Sequence, residues 1–332
     1  MMLYSNRNNQ KIRISVALCT YNGGRYLKDQ LQSIARQTRL PDELVICDDQ
    51  STDDTSRVVG DFAQQASFPV SFNINPQRLG VTRNFERAFG LCQGQFIAPC
   101  DQDDIWLPEK LATLARVLEH DSQCLLSFCD MAIMTNQGHA TNVSQWNQLG
   151  FNANRVAAFN DGKSLETLLR YNVVTGMAMM FRRSLLTLAT PLPAQFIHDE
   201  WLSLLAACTG KVTAVNQQMV QYRQHASQSI GAANRNVIAQ WRYARQHMGQ
   251  EYIDRQIVRT ELLRDKLASL PAESLRPDAL DLVSAKLEHL RRRQAMRQHW
   301  YTRLSGAVSQ GAQGQYQKFG YGWKSMAQDL FL

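Results

Sequence analysis

Between Ile12 and Cys47 the sequence reads strand, glycine turn, helix, strand in fewer than forty residues, and no other feature narrows the fold as much. Ile12, Ile14, Val16 and Leu18 alternate with polar or small residues and run into Thr20-Tyr21-Asn22-Gly23-Gly24, the pattern of a strand ending in a tight turn. Tyr26, Leu27, Leu31, Ile34 and Ala35 then recur at helical spacing through Gln37, and Pro41 closes the helix ahead of the apolar run Leu44-Val45-Ile46-Cys47. A crossover this short joins parallel neighbours in right-handed sense, and such sheets collect ligands at the carboxyl ends of their strands. Both strand ends are polar: Thr20-Tyr21-Asn22 on the first and Asp48-Asp49-Gln50-Ser51 on the second.

The alternation continues. Asp53 to Gln65 and Val81 to Cys92 have helical periodicity; Val70 to Ile74, Gln95 to Cys100 and Leu125 to Phe128 read as strands. Pro108 stands at a helix start, followed by an apolar stripe of Leu111, Leu114, Ala115 and Leu118. Residues 135–165 are rich in Asn, Gln and Gly with weak periodicity, which predicts a loop region that covers a site. From about Asn234 the strands stop. Three amphipathic helical patterns follow: Ile253 to Leu270, Leu280 to Leu290, and Trp323 with Met326 and Leu330. The fold class is α/β with a C-terminal helical appendage, divided as residues 1–231 and 232–332.

Charge marks the same division. Residues 1–231 hold 20 basic and 20 acidic side chains, whereas 232–332 hold 16 basic and 9 acidic, so the net +7 lies in the last third. A basic appendage meets phosphates, whether of nucleic acid or of anionic lipid, or else forms a solvated helical face. Arg291-Arg292-Arg293, Arg297, Trp300, Tyr301 and Arg303, then Lys318, Tyr321, Trp323 and Lys324, put cations beside aromatics, as suits a membrane interface; packing on the α/β body is the other reading. The seven cysteines are odd in number, set mostly among apolar residues and free of any C-x-x-C pair, which predicts reduced core thiols in a cytosolic protein. The first thirty residues lack a signal-like apolar run, and no stretch reaches the ~18 apolar residues of a spanning helix.

The chemistry concentrates in Asp101-Gln102-Asp103-Asp104 at a strand end. Three carboxylates so close repel one another unless a cation neutralises them, and hard oxygen donors suit Mg²⁺ or Mn²⁺. Mg²⁺ commonly takes only one or two carboxylates and completes its shell with substrate phosphates, so the cluster points to a diphosphate-bearing substrate. The other reading is an acidic turn in which Asp104 caps the next helix. There is no G-x-x-x-x-G-K-[ST] loop and no G-x-G-x-x-G, which argues against a P-loop ATPase or a dinucleotide oxidoreductase. Tyr21 is placed to stack on a base and Asp49 to accept from its N–H edge, unless both serve the turns.

Six segments in order, SVALCTYNG from Ser15, LVICDDQSTD from Leu44, GVTRNF from Gly80, DQDDIWLPEK from Asp101, HDEW from His198 and YRQH from Tyr222, resemble the family-2 glycosyltransferases. Within that family they are similar to rhamnosyltransferase-like bacterial members that build cell-surface polysaccharides, including O-antigen, over roughly residues 10–231. The resemblance implies a nucleotide-sugar-binding GT-A-type domain with a mostly parallel mixed sheet, and single-displacement inversion at the anomeric carbon. It puts Thr20, Tyr21, Asn22, Asp48 and Asp49 at the nucleotide, Tyr21 against the base and Asp48 supporting the turn. Arg78 approaches the phosphates, with Arg83 competing for that role. Asp101 and Asp103 match the Asp-x-Asp element, Asp103 as direct metal ligand with Asp104 facing the sugar, and His225 matches a position near the diphosphate and metal. Asp199 matches the catalytic base; the neighbouring Glu200 either assists it or caps a helix beginning at Trp201.

These residue types suit the reaction. A departing nucleotide diphosphate develops negative charge that a cation at Asp103 stabilises, and the acceptor hydroxyl needs a carboxylate such as Asp199 to take its proton. A hydrolase would instead flank the glycosidic bond with two carboxylates and no metal. The partners expected are a nucleotide-diphosphate sugar, with rhamnose the candidate sugar, a lipid-linked or polysaccharide acceptor, and the anionic inner face of the cell membrane, with no nucleic acid. The contrasting class, a basic-tailed nucleic-acid- or membrane-binding protein with a non-catalytic body, lacks any recognised nucleic-acid motif and has an acidic cluster where phosphates would bind.

Overall fold

Ile14, Val16 and Leu18 face one side of the first strand while Ala17 and Cys19 face the other, so β1 (Ile14–Thr20) feeds two hydrophobic layers at once. In a computed structural model, which describes residues 13–224, 250–298 and 300–331, the chain continues through α1 (Leu27–Ala35), β2 (Glu43–Asp48), α2 (Thr55–Ala63), β3 (Val70–Ile74), α3 (Val81–Leu91) and β4 (Phe96–Cys100). Then come β5 (Ile105–Trp106), α4 (Lys110–His120), β6 (Cys124–Met134), β7 (Ala140–Ser144), α5 (Gln145–Gln148), α6 (Ala153–Ala158) and α7 (Ser164–Arg170). β8 (Met179–Arg182), α8 (Leu186–Ala189), α9 (His198–Thr209) and β9 (Lys211–Arg223) complete the α/β body. Among the described residues five α-helices follow: α10 (Gln250–Ala268), α11 (Ala279–Gln298), α12 (Trp300–Ala312), α13 (Gln315–Phe319) and α14 (Trp323–Phe331).

The sheet order is β3-β2-β1-β4-β8-β6-β9-β5, with β7 beside β6. β1 to β4 are mutually parallel, β8 reverses, and β6 and β9 resume the first direction, so six of nine strands run one way, the mostly parallel mixed sheet expected. Register matters for function. Thr20 lies opposite Asp48, and Leu18 opposite Cys100, so β1, β2 and β4 end side by side. The turns after them therefore share one edge of the sheet.

Residues 135–165 are not a loop over a site. They form β7, α5 and α6, and bury Trp146, Phe151, Val156 and Phe159 against Phe128 and the core beneath the sheet. The anchors form an aromatic cluster, Phe128–Trp146 at 5.4 Å and Phe151–Phe159 at 5.6 Å between ring centroids. Helices of four and six residues are too short to display a period, which is why the sequence shows none.

The C-terminal helices pack on the body. Leu263, Leu267, Ala279, Leu282, Val283 and Phe319 belong to the same buried cluster as Phe181 and Leu205, while Ile253, Ile257, Leu287 and Leu290 seal α10 to α11. Polar ties reinforce this: Arg276 N–H donates to the Cys208 carbonyl at 2.7 Å and Arg170 Nε to that of Gly320 at 2.6 Å. The arginine run expected to meet lipid is engaged within the chain. Arg291 pairs with Glu261 and Arg292 with Glu288, while Arg293 forms a buried two-pronged pair with Asp329, itself bonded to the Tyr316 hydroxyl at 2.8 Å. The side chains of Arg297, Trp300 and Tyr301, and the boundary between residues 231 and 232, lie outside what the structure describes. All seven cysteines are free thiols, six of them buried.

Candidate active site

The shared strand edge opens into a cavity of about 280 Å³. Thr20 and Tyr21 from the end of β1, Asp49 from the end of β2, and Asp101, Gln102 and Asp103 from the end of β4 line it. Its far wall is Thr175 to Met177 ahead of β8, with Ile197, His198 and Asp199 at the start of α9.

Two polar latches set the end of the cavity expected to hold the nucleotide. Asp48 accepts from the Thr20 hydroxyl at 2.6 Å and from the Ser51 N–H at 2.8 Å, tying the turn after β1 to that after β2; it supports the turn and does not line the cavity. Asn22 is likewise structural: at φ +48° it accepts from the Thr52 N–H at 2.8 Å. Asp49 accepts from Leu79 N–H (2.7 Å), Gly80 N–H (2.9 Å) and the Asn75 amide (2.8 Å). Three of the roughly four lone-pair sites of that carboxylate are thus filled from within the chain. The result is a fixed 76–80 loop, from which Arg78 lays its guanidinium 3.8 Å from the centre of the Tyr21 ring. Arg83 does not line the cavity; it pairs with Glu86.

Gln102 holds the other side of Tyr21, accepting from its N–H at 2.8 Å and donating to its carbonyl at 3.1 Å. This clamp needs Gly23, because a Cβ there would fall 2.2 Å from Gln102 Oε1. Asp104, expected to face the sugar, points into the protein instead, fully buried, and accepts from the Arg223 N–H at 3.0 Å. The cause is β5, which begins at the next residue and pairs with β9. The same pairing denies Asp104 a helix to cap, since α4 begins at Lys110. Arg223 also donates from Nε to the Asp103 carbonyl at 2.8 Å and so braces the acidic turn. It belongs to the YRQH segment, whose His225 lies outside the described residues.

Among the carboxyls that line the cavity, electrostatics single out two. Burial, then the charges of Asp103 and Asp199, push Asp101 up to about 7. Asp199 is 8% exposed; its burial, then the charge of Glu200, push it up to about 7 as well. Its Oδ2 accepts from Gly176 N–H at 3.0 Å and its Oδ1 from Glu200 N–H at 2.6 Å, which fixes the side chain. Because α9 begins at His198, Glu200 lies within its first turn; its carboxylate pairs with Arg259 of α10. A buried carboxyl at Asp101, raised further by the charges of Asp103 and Asp199, fits a hard cation held by Asp101 and Asp103. Among the described residues no three His, Cys, Asp or Glu side chains form a closed metal cage, so such an ion would draw further donors from a substrate.

A model of the family described as "Glycosyl transferase family 2" matches residues 15–187. An uncharacterised protein of Mycobacterium tuberculosis is 27% identical over 218 residues, 64% of this chain and 59% of that one, so the chain spans under two thirds of that relative's length. The UDP-Glc:α-D-GlcNAc-diphosphoundecaprenol β-1,3-glucosyltransferase of Escherichia coli is 23% identical over 67% of this chain and 80% of its own. A dTDP-rhamnosyl transferase of Shigella flexneri is 36% identical over 100 residues, 28% of this chain and 34% of that one. Among solved structures, S. aureus TarS residues 1–349 with UDP-GlcNAc superposes at TM-score 0.57 and 15% identity, over 84% of this chain and 72% of that one, a likeness of fold.

Proposed function

The chain belongs to glycosyl transferase family 2, and we propose that it moves a sugar from a nucleotide-diphosphate donor to a hydroxyl of a lipid-linked or polysaccharide acceptor in cell-surface glycan synthesis, inverting the anomeric carbon in one displacement. One observation carries this reading: Asp103 and Asp199, 96 positions apart in sequence, line one cavity together with Tyr21 and Arg78. The Tyr21 ring offers a face to the base, and Arg78 a cation to the phosphates. Asp199 takes the acceptor's proton as its oxygen attacks, which a carboxyl titrating near neutrality does efficiently. Mg²⁺ or Mn²⁺, held by Asp103 with Asp101, would neutralise the charge that develops on the leaving diphosphate. Rhamnose as the sugar and a diphosphate-linked lipid as the acceptor draw support from what the Shigella and Escherichia relatives are named for.

The test is direct. The purified chain is incubated with UDP-glucose, UDP-GlcNAc or dTDP-rhamnose, with Mg²⁺, Mn²⁺ or EDTA, and its melting temperature is measured. At least one donor is expected to raise it by several degrees only with the cation present; a flat response to a full panel of sugar nucleotides would overturn the reading.

Peripheral attachment to an anionic membrane completes the proposal. No described helix is long and apolar enough to cross a bilayer. A second cavity, of about 450 Å³, lies where α6 and α7 meet α13, and carries Arg155, Lys163, Arg170 and Lys318 against one acid, Glu166. Tyr171 on its rim stacks on Tyr321 at 6.3 Å, and Trp323, 73% exposed, follows two residues later. Cations meeting lipid phosphates beside rings at headgroup depth suit that surface. Each exposed cation near an anionic leaflet contributes about 1 kcal/mol, so K163E/K318E is expected to weaken binding to phosphatidylglycerol vesicles roughly thirtyfold, or more given the reversal of sign. Equal sedimentation of variant and wild type would refute it. Deleting the C-terminal helices is a poorer test, because Phe319 and the Arg293–Asp329 pair would go with them.

A further inference from the structure

His198 is a polar side chain that the fold has buried and left without a partner. It is 4% exposed, and neither ring nitrogen has a hydrogen bond within the protein. Buried polar groups in native proteins are overwhelmingly paired, so a cavity-lining imidazole whose two nitrogens are both buried and both unpartnered asks for a partner from outside the chain, which a small turn of the ring would let it meet.

The surroundings say what kind. The ring lies tilted on Phe85 of α3, centroids 4.0 Å apart, with Phe89 at 5.9 Å. Against its Nε2 stands Gly176, where a Cβ would sit only 2.5 Å away, so the bare Cα is what lets the ring occupy this position. Gly176 in turn donates its N–H to Asp199, which ties the imidazole's seat to that of the base. Burial pushes the ring down to about 3, so it is neutral wherever the protein is folded and active. A neutral imidazole offers one donor and one acceptor, which matches a hydroxyl and does not match a phosphate or carboxylate.

We propose that His198 binds a hydroxyl of the sugar carried by the donor, making it a specificity-determining residue; this rests on the transferase reading above. The donor is preferred to the acceptor because the ring packs on Phe85 of α3, which lines the cavity with Gly80, Val81 and Asn84 beside Arg78 at the end assigned to the nucleotide, while Asp199 follows His198 in the chain. The imidazole thus stands between the place assigned to the diphosphate and the base, where the transferred ring must lie.

The experiment compares sugar nucleotides with their bare diphosphates. Calorimetric titration of UDP, UDP-glucose, UDP-GlcNAc, dTDP and dTDP-rhamnose, all with Mg²⁺, is run on wild type, H198F, H198L and H198Q. The apolar variants are expected to bind the preferred sugar nucleotide about five- to tenfold more weakly while the Kd of its bare diphosphate stays within about twofold, and H198Q is expected to recover much of the loss. H198F is also expected to melt above wild type, since it fills the same space without orphaned nitrogens. If H198F does not fold, H198L and H198Q decide. Unchanged affinities, equal losses for sugar nucleotide and bare diphosphate, or an effect confined to the KM of the acceptor would each overturn the proposal. If wild type binds none of a full panel of sugar nucleotides, the transferase reading falls as well, and the two failures are told apart.

Discussion

Asp199→Asn is expected to cut turnover by about 10²- to 10⁴-fold while leaving donor affinity within about twofold, the range a lost general base commands. Asn is close to isosteric and keeps one oxygen to accept from Gly176 or Glu200 N–H, so the start of α9 should hold its shape. What disappears is the proton acceptor. The acceptor's hydroxyl is a weak nucleophile unless its proton leaves as the new bond forms, and Asp199 is the carboxylate that the first turn of α9 presents at the cavity's far wall, held there by the Gly176 N–H. The pH profile gives a second, independent reading. Burial raises the Asp199 carboxyl from its ordinary 3.8 to about 7, with the Glu200 charge adding to the effect. The base form therefore dominates above about 7 and declines about tenfold per unit below it, so wild-type kcat/KM should climb through that value and level off. The residual rate of the variant should lack that limb. Near-normal turnover in Asp199→Asn, or an unchanged acid limb, would remove Asp199 from the base role.

The parts of this molecule that a reader of sequence can see are those in which neighbours in sequence are also neighbours in space. β1, α1 and β2 declare themselves because alternation, a Gly-Gly turn and helical spacing all lie within one short crossover. The acids after β4 are legible because three of four consecutive residues carry charge. The orientation of Asp104 is not legible, because it is set by Arg223, 119 positions away, through a strand pair that brings β9 back beside β5. Gln102 is illegible for the opposite reason: it stands among the acids, and only the fold shows that it grips Tyr21 over a bare Gly23. His198 is visible as part of HDEW, yet nothing local says that Phe85 and Gly176 will close around it and leave its nitrogens without a partner. The arginine run is half legible: Glu288, four residues before Arg292 on the same helix, is visible in sequence, whereas Glu261 of α10 and Asp329 of α14 reach Arg291 and Arg293 only through the fold.

Asp103→Asn is expected to abolish the dependence of donor binding on divalent cations and to lower transfer at least about 10²-fold, in keeping with the several kcal/mol that charge neutralisation of a leaving diphosphate commands. The argument is one of like charges. Asp101, Asp103 and Asp199 share one small cavity, and a nucleotide diphosphate would bring still more negative charge among them. Cation and donor should therefore bind together, wild type holding the sugar nucleotide with Mg²⁺ far better than with EDTA, and the variant holding it weakly and equally in both. A stability measurement without added metal separates this from simple damage. Asp103 is the second cause, after burial, of the rise of Asp101 from 3.8 to about 7. A carboxyl raised in this way favours the folded state when protonated, and that contribution is lost as pH rises through about 7. Removing the Asp103 charge relieves part of the loss, so the metal-free variant should melt above wild type, by more at pH 8 than at pH 5. A variant that is both less stable at pH 8 and still cation-dependent would show that Asp103 holds the turn together and not the cation.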